Sequence, residues 1–342
     1  MHASNSILIA VASLVFLSCS KAQQLTHWQN RLETETISYG PDTTYSRAIT
    51  ARNGQLYTGN SNGFIYRLDL KTGARETLNN TALKEIRDIH INGDQVIGMQ
   101  SADTSRMVSI SITKGPSTEN SFSVSQRPVF LDGMDILPSG TGFMMGDPTA
   151  GYFSLFHTTD HGLNWKQIFP LLKAGDGEAG FAGSGTNVQC LNDSTFVFVS
   201  GGMQSRFFRT EDKGNTWTQA VLPYLQSPGS GAFSVHFSDA LQGVIVGGDY
   251  THPADASVTS FYTRDGGKTW TASEIPATGY RSCVTAYKGV YYACGTTGID
   301  VSVDGGITWS NVYRGNFIAI ATAGKYVYFT IPGGKVERIK AL

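Results

Sequence analysis

Carboxylates, guanidiniums and thiols are the groups in this sequence that could do chemistry, and their spacing says something different about each. Four aspartates, Asp160, Asp212, Asp265 and Asp304, recur in one frame: TTDHGLNW (158–165), TEDKGNTW (210–217), TRDGGKTW (263–270) and SVDGGITW (302–309). Paired carboxylates can serve as general acid and base, but the neighbours of these four describe a turn. Each aspartate is followed by a glycine (Gly162, Gly214, Gly267, Gly306) and then a tryptophan (Trp165, Trp217, Trp270, Trp309). The aspartate can accept backbone N–H groups across a loop, the glycine supplies a positive φ that a bulky residue resists, and the tryptophan opens the next strand and buries its ring. These residues are structural, not a catalytic acid set.

A second set is dispersed along the chain: Arg47, Arg87 and Arg281, with Asp88, Asp135, Asp147, Glu178 and Asp249. Guanidinium offers a planar pair of donors to a carboxylate or phosphate and stays charged, so three that converge could hold an anion. The acids could instead neutralise them and brace the structure. Arg87, beside Asp88, points to the bracing role, whereas Arg281, with no acidic neighbour in sequence, points to ligand binding. His90, His236 and His252 are read as core or loop histidines. There is no metal-ligand cluster and no nucleotide, flavin or haem motif, so neither a metal nor a cofactor is expected.

What must position these groups is a repeat. Seven units pair an apolar strand, a turn and a second strand: 47–59, 87–99, 133–146, 187–200, 234–248, 282–294 and 317–330. A third strand follows in each, and the spacing is that of four-stranded propeller blades. The expected fold is therefore all-β, a seven-bladed β-propeller with four aspartate turns. Blade seven runs out of chain at KVERIKAL, so the ring must be closed by an N-terminal strand, expected at HWQNRLE (27–33). Within an antiparallel blade, the loops after strand two share a face with the starts of strand one. That topology gathers the dispersed charged residues around one channel mouth, where propellers commonly bind.

The four boxes are similar to the Asp-box, or bacterial neuraminidase, repeat. The runs MGDP (145–148), GEAGFAGSGT (177–186), GGMQSRFFRT (201–210), FSVHF (233–237), GGDYTHP (247–253) and YRSCV (280–284) resemble the family of photosystem II stability and assembly factors, in a bacterial branch often labelled oxidoreductase. The resemblance implies a propeller of the broad WD40 or YVTN-like kind that acts by binding other proteins. The oxidoreductase label finds no cofactor motif here. The enzymatic alternative is a sialidase-like exo-acting glycoside hydrolase, whose relatives carry a Phe-Arg-Ile-Pro segment; the nearest stretch, Tyr45-Ser46-Arg47-Ala48-Ile49, lacks both the Phe and the Pro.

The N-terminus sets the expected compartment. Residues 1–18 read as a signal peptide with an apolar run at Ile7 to Leu17, and Ser18-Cys19 resembles a lipobox, so Cys19 is the expected lipidation site. A tether (19–24) then leads to a single propeller, 25–342. The expected location is the periplasm, outer membrane or cell surface, with the lipid anchor as the sole membrane contact. A net charge of −1 with 15% charged residues argues against nucleic acid. The partner expected is an envelope protein or glycan, met by a monomeric propeller. Cys190 is expected as a buried free thiol. Cys283 and Cys294 flank the turn at Lys288-Gly289 symmetrically, which suits either a disulfide or a reduced pair.

Overall fold

The strands form because their apolar residues repeat at the period of a sheet buried on both faces, and because turn residues punctuate them. Asn53-Gly54 and Lys288-Gly289 both adopt positive φ, 51° and 74° in the first turn and 53° and 79° in the second, which two-residue hairpins of right-handed twist require. The computed structural model describes residues 23–29, 31–79, 83–102, 105–113, 119–122 and 128–342. The signal segment, Cys19 and the first residues of the tether lie outside these.

Seven antiparallel sheets follow one another around a ring. Blade one comprises Ser46–Arg52, Gln55–Asn60, Ile65–Asp69 and Arg75–Thr77; blade two Ile86–Asn92, Gln95–Gln100, Arg106–Ser111 and Glu119–Phe122; blade three Leu131–Ile136, Gly142–Thr149, Tyr152–Thr158 and Lys166–Gln167. Blade four is Val188–Cys190, Phe196–Val199, Arg206–Thr210 and Thr218–Val221, and blade five Ser230–Phe237, Gly243–Asp249, Ser260–Thr263 and Thr271–Ala272. Blade six is Cys283–Tyr287, Val290–Gly295, Gly298–Ser302 and Ser310–Tyr313. Blade seven takes Ile320–Ala323, Tyr326–Ile331 and Lys335–Lys340 from the C-terminus and its outer strand from Thr34–Ser38, paired antiparallel with Lys335–Lys340.

Closure by an N-terminal strand is thus as expected, but the strand is not 27–33. Residues 23–29 form a short helix instead. Leu25, Trp28 and Leu32 recur at helical spacing and pack on a core cluster that includes Tyr292, Phe317 and Ile339. Trp28 Nε1 donates to Lys340 O at 3.0 Å.

The core is divided among the gaps between blades. Each cluster of buried apolar side chains joins two neighbours, from blades one and two round to blades seven and one. The four box tryptophans reach back into the preceding gap: Trp270 of blade five, for example, lies edge-on to Phe207 of blade four at 5.0 Å. The aspartates do what the turn asks. Asp265 Oδ1 accepts from Thr263 Oγ1 (2.8 Å) and Thr269 N (3.0 Å), and Oδ2 accepts from Thr269 Oγ1 (2.7 Å). The backbone N–H of Thr269, aided by its hydroxyl, holds this carboxyl down at about 2. Asp160, Asp212 and Asp304 make the same set of bonds.

Side chains on and beside the inner two strands stitch blade to blade. Asp88 accepts from Met134 N (2.7 Å), Asp135 from Cys190 N (2.8 Å), Gln189 from Phe237 N (2.7 Å) and Ser234 from Val284 N (2.9 Å). Ser282 donates to Ile318 O and Thr330 to Ser46 O, which carries the seam through the closure.

Candidate functional site: a plugged channel mouth

The loop leading into blade four crosses the channel mouth and fills it. Residues 180–186 (GFAGSGT) touch five other blades. Gly180 N donates to Asp147 Oδ1 of blade three at 3.0 Å. The carbonyls of Ala182 and Gly183 accept from Arg87 and Arg47, each at 3.5 Å. Phe181 stacks on Phe233 of blade five, centroids 4.1 Å apart. Ser184 Oγ donates to Ser282 O of blade six at 2.7 Å, and Thr186 meets Ser234 Oγ at 2.6 Å. Glycine is needed for the approach: a side chain at Gly180 would collide with Asp132, and one at Gly185 with Asp88. Gly185 also has a φ of 74°.

The charged residues expected at the mouth divide into three groups. Arg47 and Arg87 are there, half-buried, and share the carboxylate of Glu85 at 3.1 and 2.8 Å. Asp88, Asp135 and Asp147 are present too, but each is bonded to backbone N–H groups of the protein. Burial pushes Asp88 up to about 8, with its two backbone hydrogen bonds opposing; burial also raises Asp135 and Asp147. The third group is not offered to a ligand. Arg281 is wholly buried, with Nε 2.6 Å from Asp300 Oδ2 and Nη1 2.8 Å from Tyr280 O. Its assignment to ligand binding is therefore corrected: it is a brace whose acidic partner comes from the third strand of its own blade. Glu178 is bound to the Arg206 guanidinium and the Ser200 hydroxyl. Asp249 caps its own turn through Thr251 N and Oγ1 and His252 Nδ1. Burial raises the Asp249 carboxyl, but those hydrogen bonds outweigh it and hold it below its ordinary value.

Sequence reasoning passed over Asp132, at the start of the first strand of blade three. It is 1% exposed and lies against Gly180, and burial with the nearby Asp147 pushes its carboxyl well up. It also passed over Glu85, whose one carboxylate is shared by Arg47 and Arg87 and offsets half of their charge. Beside the plug two large side chains with apolar bodies stand exposed. Tyr250 meets both Phe181 and Phe233 edge-on at 6.5 and 6.2 Å and is 53% exposed; Met203, over Gly177, is 43% exposed. Beneath the plug, the channel keeps a cavity of about 280 Å³ lined by residues of all seven blades, among them His90, Gln189, His236 and Thr285. Among the described residues no three metal-ligating side chains converge.

Three likenesses place the fold among known proteins. Virginiamycin B lyase from Staphylococcus aureus aligns over 91% of this chain and 100% of its own, with a TM-score of 0.66 and 14% identity. YCF48 bound to D1 peptide aligns over 90% and 97%, with a TM-score of 0.62 and 12% identity, and the WD40 propeller domain of Doa1 over 90% and 96%, at 0.66 and 8%. A family profile described as Sortilin, neurotensin receptor 3 (Sortilin-Vps10) matches residues 153–288, less than half of the chain. No curated protein matches the sequence. At identities this low, what the chain shares with the three solved structures is the seven-bladed or related propeller architecture itself.

Proposed function

We propose that this chain is a non-enzymatic binding propeller of the cell envelope, exported and tethered through Cys19, which receives a polypeptide segment of a partner on its plugged face. The observation that carries this reading is the plug. A loop of the chain occupies the channel mouth, and most of the charged groups around it are engaged by backbone or by one another. What the face offers outward is a set of apolar side chains, Phe181, Met203 and Tyr250, on a rigid frame. Exposed aromatics of this kind supply contact area at low entropic cost, as binding surfaces do. The likeness to YCF48, whose solved structure holds a D1 peptide, supports a peptide as the kind of ligand, as does the resemblance to assembly factors.

The test is capture from native envelope extract by the wild-type protein and by Tyr250→Ser and Met203→Ser. The expected result is a discrete protein retained by the wild type and lost from both variants, with thermal midpoints within about 2 °C of each other. Retention of a glycan in place of a protein, release of sugar from it, or capture indifferent to both substitutions overturns the reading.

A further inference from the structure

Cys283 and Cys294 face each other across the first two strands of blade six. Both are wholly buried free thiols. Directly opposed residues of an antiparallel pair have Cα atoms about 4.5–5.5 Å apart, a separation that a disulfide spans without movement of the backbone. The plug rests on this pair. Thr186 Oγ1 shares its one hydrogen between Ser184 Oγ at 2.7 Å and Cys283 Sγ at 3.6 Å, and Ser184 donates to the carbonyl of neighbouring Ser282. The sulfur of Cys283 is thus one of the contacts that hold the mouth shut.

Cys190 provides the contrast. It faces Phe196 across its own hairpin and donates to Asp135 O at 3.2 Å, with no second thiol opposite. Burial drives its thiol well up. At Cys283 burial acts in the same direction, but hydrogen bonds from Cys294, Thr186, Ser184 and the N–H of Ile320 outweigh it and bring the thiol to about 7. Two of those donors, Thr186 and Ser184, belong to the plug, so the lowering describes the closed mouth and marks Cys283 as the sulfur the plug is seated on.

We propose that Cys283 and Cys294 form a thiol–disulfide latch for the plug: with both reduced, Cys283 adds its contact to Thr186 and the mouth is closed, and when the two sulfurs bond to each other that contact is lost and the plug opens more readily. The reagent is a disulfide oxidant, small or protein-borne. The Cys283 thiolate attacks one sulfur of the oxidant and expels the other as a thiolate, leaving a mixed disulfide. Cys294 then gives up its proton, and its sulfur attacks Cys283 Sγ and expels the second thiolate. Two electrons and two protons leave the pair, and the oxidant ends as two thiols. In the product, Cys283 carries neither a negative charge nor a hydrogen, so Thr186 loses the better part of its acceptor. Neither sulfur is exposed, so the oxidant reaches Cys283 in transient openings of the plug, and the disulfide formed then keeps the plug from reseating on the thiol.

Oxidised glutathione applied to the full chain tests this, read by peptide mapping of the thiols and by hydrogen exchange across 180–186. The expected result is loss of both thiols from the peptide carrying Cys283 and Cys294, an untouched Cys190, and plug amides that exchange about tenfold faster and recover on reduction. With Cys294→Ser the chemistry should stop at a glutathione adduct on Cys283, because no second thiol resolves it. The proposal falls if the two thiols persist under oxidant, if Cys190 reacts in their place, or if the disulfide forms and plug exchange is unchanged. These readouts do not involve a partner, so they stand apart from the test of peptide binding.

Discussion

Arg281 and Arg87 differ in circumstance in the reverse of what their sequence neighbours suggest. Arg281 has no exposure and donates to Asp300, Tyr280 O and Thr297, whereas Arg87 keeps 22% of its side chain exposed beside Glu85. Arg281→Met should leave Asp300 buried and unpaired and cost roughly 3–5 kcal/mol. Arg87→Met removes a partly solvated pair and should cost under about 1 kcal/mol. Chemical denaturation of the two variants decides it, and equal losses would contradict the burial that separates them. Asp265→Ala, which breaks a turn in which two of the three donors face solvent, should cost about 1 kcal/mol and leave partner capture by the folded protein intact. The box residues were legible because donor, acceptor and glycine all lie within eight residues of sequence. Arg281 was not, because Asp300 comes from the third strand, beyond the reach of a local reading.

At the level of elements, the same limit shows at the N-terminus and at the plug. The closing strand was expected from the missing edge of blade seven, which is a count of strands and needs no contact information. It lies further along than 27–33, because Leu25, Trp28 and Leu32 are spaced by three and four, which is helical. Truncation therefore has a graded expectation. Removing residues up to 24 should leave the thermal midpoint nearly unchanged. Removing them up to 33 strips Leu25 and Trp28 from the core cluster of blades six and seven and should lower it by several degrees. Removal through Ser38 opens the edge of Lys335–Lys340 to pairing with other chains, so aggregation should accompany unfolding. Light scattering during a thermal ramp distinguishes the three, and a soluble, unchanged product of the longest truncation would refute closure by Thr34–Ser38. The plug had a visible signal in Gly180, Gly183 and Gly185. What the sequence could not tell was which surfaces those glycines approach, since they belong to five other blades.

Over the whole ring, buried titratable groups set two opposing dependences on pH. Asp88 is raised from 3.8 to about 8 by burial, and Asp132, Asp135 and Asp147 shift the same way. Between about pH 4 and 8 the folded state holds a proton at Asp88 that the unfolded chain has lost, so stability falls as pH rises through that window. His90 and His236 do the reverse, because burial lowers both from 6.5 to about 4. Below about 6.5 the unfolded chain takes up protons that these folded histidines refuse, so stability falls as pH drops toward 4. The two limbs cross in mildly acidic solution, where the thermal midpoint should be highest. In Asp88→Asn the neutral amide keeps an acceptor for Met134 N but has no proton to lose, so the decline between pH 6 and 8 should flatten, at about 2 °C of midpoint per kcal/mol. His236→Gln should flatten the acid limb and leave the alkaline one alone. Midpoints measured in steps from pH 4.5 to 8.5 for the wild type and both variants provide the check. An alkaline limb of equal slope in wild type and Asp88→Asn would mean that Asp88 is already ionised in the folded ring, with its charge carried by the N–H groups of Ile89 and Met134.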